Sequence, residues 1–183
     1  MTEKEKARTG QLYFPADPEL FSECQMAKQL CFEINHLHPR NLNARDFLIR
    51  KLLGSVGASC YMEPPFYFDY GYNTSIGDHF YSNHNLTVLD CARVDIGNHV
   101  FIAPNVGIYT ATHPLDAKTR NSGMESALPV TIEDNVWIGG SVCILPGVTI
   151  GEGAVIGAGS VVVNDIPPRV LAVGNPCRPV RPV

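Results

Sequence analysis

Between residues 132 and 161 the chain divides without remainder into IEDNVW, IGGSVC, ILPGVT, IGEGAV and IGAGSV. Isoleucine opens every hexad, and a small or apolar residue (Val136, Val142, Val148, Ala154, Ser160) follows four places later. The same beat runs upstream through IGNHVF, IAPNVG and IYTATH, from Ile96 to His113. A looser stretch from Ile76 through Leu86 and Val88 keeps it in part, with a two-residue slip before Ile96. An α-helix cannot use this period, because its buried stripe needs apolar residues at i, i+3, i+4 and i+7. Short β-branched runs broken by Gly, Asn, Asp and Pro instead specify short strands alternating with turns. At fixed spacing, such strands become the faces of a parallel coil, each isoleucine stacked over its equivalent in the next turn. Three hexads per coil would make a triangular prism.

The first sixty residues follow another rule. In DPELFSECQMAKQLCFEINH, residues Leu20, Phe21, Cys24, Ala27, Leu30, Cys31 and Ile34 approach helical spacing. Asp17 is a fitting N-cap, with Pro18 at the first helical position. NARDFLIRKLLGSVG reads as a second helix, with Asn43 as cap and Gly54 or Gly57 near its end. Helices before a solenoid can cover its open edge, where unpaired strands invite aggregation. The leader MTEKEKARTG is polar and mixed in charge, so it reads as a mobile terminus and no secretory signal. After Val163 the repeat is lost in Pro-rich turns. The expected organisation is a helical segment over 1–60 packed on the solenoid, the solenoid over 61–168, and a tail over 169–183.

Bulk properties narrow the partners. At 183 residues the chain can bury a real core, and a net charge of −4 argues against nucleic acid or anionic membranes as partners. No apolar run approaches the roughly 20 residues of a membrane span. Six cysteines show no CxxC and no zinc-ligand spacing, so they read as reduced, small apolar side chains in a cytoplasmic protein.

Solenoid interiors are filled, so chemistry belongs on outer faces, on loops or between copies. The stretch from about 112 to 129 is the one large insertion among the coils. Its Pro114, Asp116, Lys118, Arg120, Asn121 and Gly123 suit an extruded loop. His113 stands at its root, flanked by the hydroxyls of Thr110 and Thr112. An imidazole that titrates near ~6.5 is matched to taking a proton from an alcohol. Glu125, across the loop, is the available carboxylate to orient it. A second polar set, YFDYGYNTSIGDHFYSNHN, holds Asp69, Tyr81, Asn83 and Asn85 among aromatics. Aromatic faces with amides and carboxylates suit a carbohydrate, and equally a capped solenoid end. Trp137, the only tryptophan, ends a hexad and so faces outward as an interface or ligand platform. Arg169, Arg178 and Arg181 could grip phosphates or be solvated tail charges.

Taken together, GQLYFPADPEL, FEINHLHP, EPPFYFDYGYN, NLTVLD, IGNHVFIAPNVGIYTATHP, RNSG, PVTIEDNVWIGG and VGNPCR resemble the maltose and galactoside O-acetyltransferases, over nearly the whole chain. These belong to the hexapeptide-repeat superfamily. YTATHPLDAKTRNSG is more similar to the maltose type. The resemblance implies a mainly β protein, a left-handed parallel β-helix with an N-terminal helical segment and one extruded loop. It implies a homotrimer with acetyl-CoA in grooves between subunits and no required metal. His113 takes the family's catalytic histidine position, as general base on a sugar hydroxyl, commonly the 6-hydroxyl. Asn83 and Glu125 accompany it. Asp17, Asp69, Tyr81 and Asn83 match the acceptor pocket, with Trp137 near the reacting groups. The amide of Gly140 matches the oxyanion donor. Ala103, Gly140, Ala158, Val163 and Asn164 match the coenzyme groove, and Arg178 and Arg181 the end that meets its phosphates. Asn164 departs from the family's usual lysine, and Asp69 from the serine of galactoside enzymes. Other readings are a non-sugar acceptor such as an antibiotic or amine, a γ-type carbonic anhydrase using His79, His84 and His113, and a scaffold without chemistry.

Overall fold

The computed structural model describes residues 1–183 and places the strands on three parallel faces. The first face carries Ser55–Val56, Thr74–Ile76, Val94–Ile96, Val130–Ile132 and Thr149–Ile150. The second carries Cys60–Met62, Phe80–Ser82, Phe101–Ile102, Trp137–Ile138, Val155–Ile156 and Val170–Val173. The third carries Phe66–Phe68, Leu86–Leu89, Gly107–Tyr109, Cys143–Ile144 and Val161–Val162. Ile132 pairs with Ile150, Ile138 with Ile156 and Ile144 with Val162, so three hexads make one coil. The isoleucines that open the hexads, Ile132, Ile138, Ile144, Ile150 and Ile156, are each at most 1% exposed. Burying one such side chain contributes about 1.5–3 kcal/mol. The short strands inside each face hydrogen-bond to the coils above and below, which is why two residues suffice for a strand here.

The coils differ in length, and the difference sits at one corner. Ser75 pairs with Asp95, Asp95 with Thr131 and Thr131 with Thr149, giving steps of 20, 36 and 18 residues. The chain crosses from third face to first in six residues between Ile144 and Ile150. It takes eight between Phe68 and Ile76 and between Val88 and Ile96, and twenty-four between Ile108 and Ile132. The two-residue slip before Ile96 is therefore a widened corner, and the large insertion widens the same corner further. All surplus chain stacks along one edge of the prism.

Three helices precede the coil: α1 (Glu3–Arg8), which packs against Ser126–Ala127, α2 (Pro18–Asn35), which packs on the third face, and α3 (Leu42–Leu52), which packs on α2. Asp17 caps α2 as expected, accepting from the N–H of Glu19 at 3.0 Å. Asn35, the last residue of α2, ties the helix to the third face by a two-way hydrogen bond with the backbone of Phe66, at 2.8 and 3.1 Å. The leader is not mobile. Thr2 and Glu5 form a capping box around α1, Ala7 is buried, and Lys4 pairs with Glu23 at 2.6 Å. The T-x-x-E signature was present in TEKE. α3 starts at Leu42 with Asn41 at its N-cap, so Asn43 lies inside its first turn.

The solenoid also reaches further than its repeat. Its first strand, Ser55–Val56, pairs with Ser75–Ile76, and Val170–Val173 joins the second face with Leu171 opposite Val155. That last step is 16 residues long and carries Ala172 where an isoleucine would stand, so the hexad pattern hides it. Arg178–Pro182 then turns back antiparallel on Val170–Val173 and covers the edge. No helix is long and apolar enough to cross a membrane. Replacing Ile144, fully buried in the middle coil, by alanine is expected to lower stability by about 2–5 kcal/mol, read from urea unfolding.

Candidate active site

The widened corner is pinned by buried polar groups. Asp90, fully buried, accepts from the N–H of Tyr70 at 2.9 Å and from the Thr74 hydroxyl at 3.0 Å. Thr110, also fully buried, donates to the carbonyl of Leu89 at 2.6 Å and accepts from the N–H of Ala92 at 2.9 Å. Above this anchor the insertion leaves as a hairpin, Ala111–Thr112 antiparallel to Ser126–Ala127, with α4 (Ala117–Asn121) at its tip. Asp116 caps α4 through the N–H of Thr119 at 2.7 Å, and Arg120 holds the carbonyls of Pro114 and Leu115 at 3.1 Å. The Thr110 hydroxyl that flanks His113 in sequence is thus structural.

His113 follows immediately on the hairpin's outgoing strand, with its side chain 60% exposed. Its Nε2 lies 3.8 Å from Oε1 of Glu125, an approach longer than a hydrogen bond but close enough for direct electrostatic contact. The other carboxylate oxygen of Glu125 accepts from the Tyr13 hydroxyl at 3.0 Å. The backbones of Tyr13 and Glu125 also exchange two hydrogen bonds, at 2.9 and 3.0 Å. Next to them the Cys91 thiol points at Oδ2 of Asp69, 3.7 Å away. Burial raises the Asp69 carboxyl above the usual carboxylate range, opposed by the Cys91 thiol and Lys28 and reinforced by Glu125. Burial likewise drives the Tyr13 phenol and the Cys91 thiol far up, so both keep their protons. Asp69 also borders a cavity of about 630 Å³ between α2 and the third face, lined by Lys28, Phe32, Tyr67, Phe68 and Leu89 among others.

The remaining expected residues stand on the second face and on the corner that leads from it to the third. Tyr81, Phe101 and Trp137 occupy one register position on successive coils, and Tyr61 stacks on Tyr81 with ring centroids 6.2 Å apart. Trp137 is 55% exposed and so faces outward, as its place in the hexad requires. Asn83, Ala103, Gly140 and Ala158 follow at the corner of successive coils, joined by bonds such as Asn83 N–H to Ile102 and Ala103 N–H to Ile138 at 2.8 and 2.9 Å. A Cβ on the neighbouring Gly139 would lie 2.6 Å from the amide nitrogen of Ala158, so only glycine lets these coils approach. The N–H groups of Gly139 and Ser141 are bonded to Ile156 and Pro104, but that of Gly140 between them has no acceptor within the chain. Asn83 Oδ1 accepts from the N–H of His84 at 2.7 Å.

The expected set therefore divides into two rows along opposite edges of the third face. Asp69, His113 and Glu125 share the widened corner, and Val163 and Asn164 are exposed on the same edge in the last full coil. Asn83, Ala103, Gly140 and Ala158, with Tyr81 and Trp137 beside them, form the other row. Arg178 and Arg181 lie exposed on the closing strand of the second face. Asp17 is committed to capping α2, leaving its Oδ2 without a bond in the chain. His79, His84 and His113 stand at three different corners, so a single copy does not gather them around one metal. His79 stacks instead on His99, with ring centroids 4.5 Å apart. Sequence reasoning missed Tyr13 and Cys91. The run GQLYFP held Tyr13 without any chemical motif, and nothing around Cys91 set it apart from a small core side chain.

Such a three-sided parallel solenoid, capped by helices and broken by one flap, defines the hexapeptide-repeat class, and comparison with known proteins agrees. Residues 6–57 match the model for the maltose acetyltransferase hexapeptide capping motif, and residues 129–164 that for the bacterial transferase hexapeptide of six repeats. Galactoside O-acetyltransferase of Escherichia coli is 45% identical over 98% of this chain and 88% of its own. The crystal structure of a maltose O-acetyltransferase from Clostridium difficile 630 superposes with a TM-score of 0.99 at 48% identity, covering 100% of this chain and 98% of that one. A galactoside acetyltransferase in complex with coenzyme A gives 0.97 at 45% identity, covering 100% and 91%. The chain belongs to the maltose and galactoside O-acetyltransferase family of hexapeptide-repeat proteins.

The raised Asp69 carboxyl has a consequence for stability. The folded protein holds that proton more tightly than the unfolded chain, so stability falls as pH rises from the ordinary carboxylate range through Asp69's own. Asp69→Asn removes the penalty. The variant is expected to melt higher than the parent at neutral pH and to show no such gain near about pH 3, where the parent carboxyl is protonated in both states.

Proposed function

We propose that the protein transfers the acetyl group of acetyl-CoA directly to a sugar hydroxyl, the 6-hydroxyl of maltose, glucose or a galactoside, with His113 as general base. The observation that carries this reading is the exposed imidazole at the root of the flap, beside Glu125, on the corner that also holds Asp69. The donor and the acceptor class are supported by relatives named for maltose and galactosides, one of them bound to coenzyme A. A primary hydroxyl presented to His113 loses its proton to the imidazole as its oxygen attacks the acetyl carbonyl. The free N–H of Gly140 is suited to hold the negative charge that develops on the carbonyl oxygen. When the C–S bond breaks, His113 returns its proton to the departing thiolate, so the base is restored. Glu125 orients the imidazole, and Asp69, Asp17, Tyr81 and Asn83 receive the acceptor.

Two rows on opposite edges of one face become one groove when the row of one copy meets the complementary row of the next. A heterologous contact of this kind gives a ring where its rotation closes, and the family resemblance supports a ring of three. In this arrangement Trp137, Asn83 and the Ala103, Gly140 and Ala158 corner of one subunit face His113 of its neighbour. Coenzyme lies along the groove, past Val163 and Asn164, with Arg178 and Arg181 at the phosphates. Asn164 offers no charge, so phosphate recognition falls on the arginines.

Incubated with acetyl-CoA, maltose or glucose should release free thiol, and His113→Ala should lower kcat by about 10²–10⁴-fold with the acetyl-CoA KM nearly unchanged. Arg178→Ala and Arg181→Ala should raise that KM by about tenfold each. Turnover confined to amines overturns the sugar assignment, and an active His113→Ala overturns the base.

A further inference from the structure

Tyr13 is the one buried aromatic of the N-terminal arm, and the reaction outlined above gives it no part. Its side chain is 1% exposed, in a small second core with Ala7, Leu20, Tyr70, Cys91, Ala92 and Ala127. Packing alone would be served by phenylalanine, yet a hydroxyl is buried there, and it spends its proton on Oε2 of Glu125 at 3.0 Å. The backbone bridge between the same two residues ties the arm to the flap. The Glu125 carboxylate meets no lysine or arginine; its partners are the Tyr13 hydroxyl and Nε2 of His113. The titratable groups facing it are Tyr13 from the arm, Asp69, Tyr70 and Cys91 from the corner, and His113 from the flap root. Of the flap's other charged side chains, Asp116 bonds Thr119 and Arg120 holds the carbonyls of Pro114 and Leu115, while Lys118 stands on α4 at the tip and forms no ion pair with Glu125.

We propose that Tyr13 is a positioning residue for the catalytic pair: by donating to one oxygen of Glu125 it sets the carboxylate so that the other oxygen faces Nε2 of His113. The phenol shares the negative charge of Glu125 and selects one rotamer of it. A carboxylate left free to turn would meet the imidazole only part of the time, and a mis-set imidazole is a poor base. This inference rests on the role proposed above for His113.

The test is the pH dependence of kcat/KM for acetyl transfer to glucose, with the full-length protein and saturating acetyl-CoA. Tyr13→Phe should lower kcat by about tenfold, leave the acetyl-CoA KM within about twofold, and move the acid limb to higher pH. The direction follows from Coulomb's law: without the phenol, Glu125 presents its full charge and favours the imidazolium. Glu125→Gln removes that charge and should move the limb to lower pH. In the double variant the Tyr13 effect should vanish, because its only route is through Glu125. A wild-type kcat and limb in Tyr13→Phe overturns the proposal, as does a Tyr13 effect of equal size with and without Glu125. Should Tyr13→Phe melt below the assay temperature, difluorotyrosine at position 13 keeps the packing and strengthens the donor. It should then move the limb down, and an unmoved limb overturns the proposal. His113→Ala separates the two levels. If it is as active as wild type, the reading of the site fails; if it is inactive while Tyr13→Phe behaves as wild type, the positioning role alone fails.

Discussion

Everything in this molecule depends on the register between coils. An isoleucine at the opening of each hexad lands on an equivalent side chain one coil away, and the strands beside it exchange backbone hydrogen bonds with both neighbours. A one-residue slip would turn the inward column to solvent, so surplus chain cannot be absorbed within a face. It is expelled at a corner. Here it is expelled at the same corner in three successive coils, which stacks Asp69, Asp90 and Cys91, and the flap with His113 and Glu125, along one edge.

The edge is then made rigid by polar bonds that the repeat does not need. Asp90 and Thr110 hold the widened turns with fully buried oxygens, and any of these left unpaired would cost about 1–3 kcal/mol. The N-terminal arm adds a second, smaller core, in which Tyr13, Leu20 and Ala7 pack against Cys91 and Ala127 at the root of the flap. The cap that covers the solenoid is thus also the part that steadies the proposed base. The opposite edge has a different logic, with glycines and small residues that let coils approach and leave an amide free at Gly140. In the groove proposed above, one chain carries the two halves on opposite edges and cannot bring them together by itself.

Much of this was legible in residues. Five unbroken hexads admit hardly any fold but a solenoid, Asp17-Pro18 announces α2, and the polar interruption after His113 announces the flap. What escaped did so for physical reasons. α1 is too short for periodicity, although its capping box stood in TEKE. Val170–Val173 continues the second face after a 16-residue step, so a six-residue ruler passes over it. Tyr13 and Cys91 carry no spacing relative to His113, because they reach it only through folding.

The sequence by itself determined the period, and with it the prism, the buried isoleucine columns and the place where chain had to leave them. It also named His113 and Glu125 as a candidate pair, because both stand in the one insertion. Only the tertiary structure decided that the insertion shares a corner with Asp69 and Cys91, that Tyr13 reaches across 112 positions to hold Glu125, and that the three histidines lie apart. Period is a property of neighbours along the chain and can be read there. The meeting of Tyr13 with Glu125 depends on how the arm packs over the stacked corners, and no local pattern encodes that.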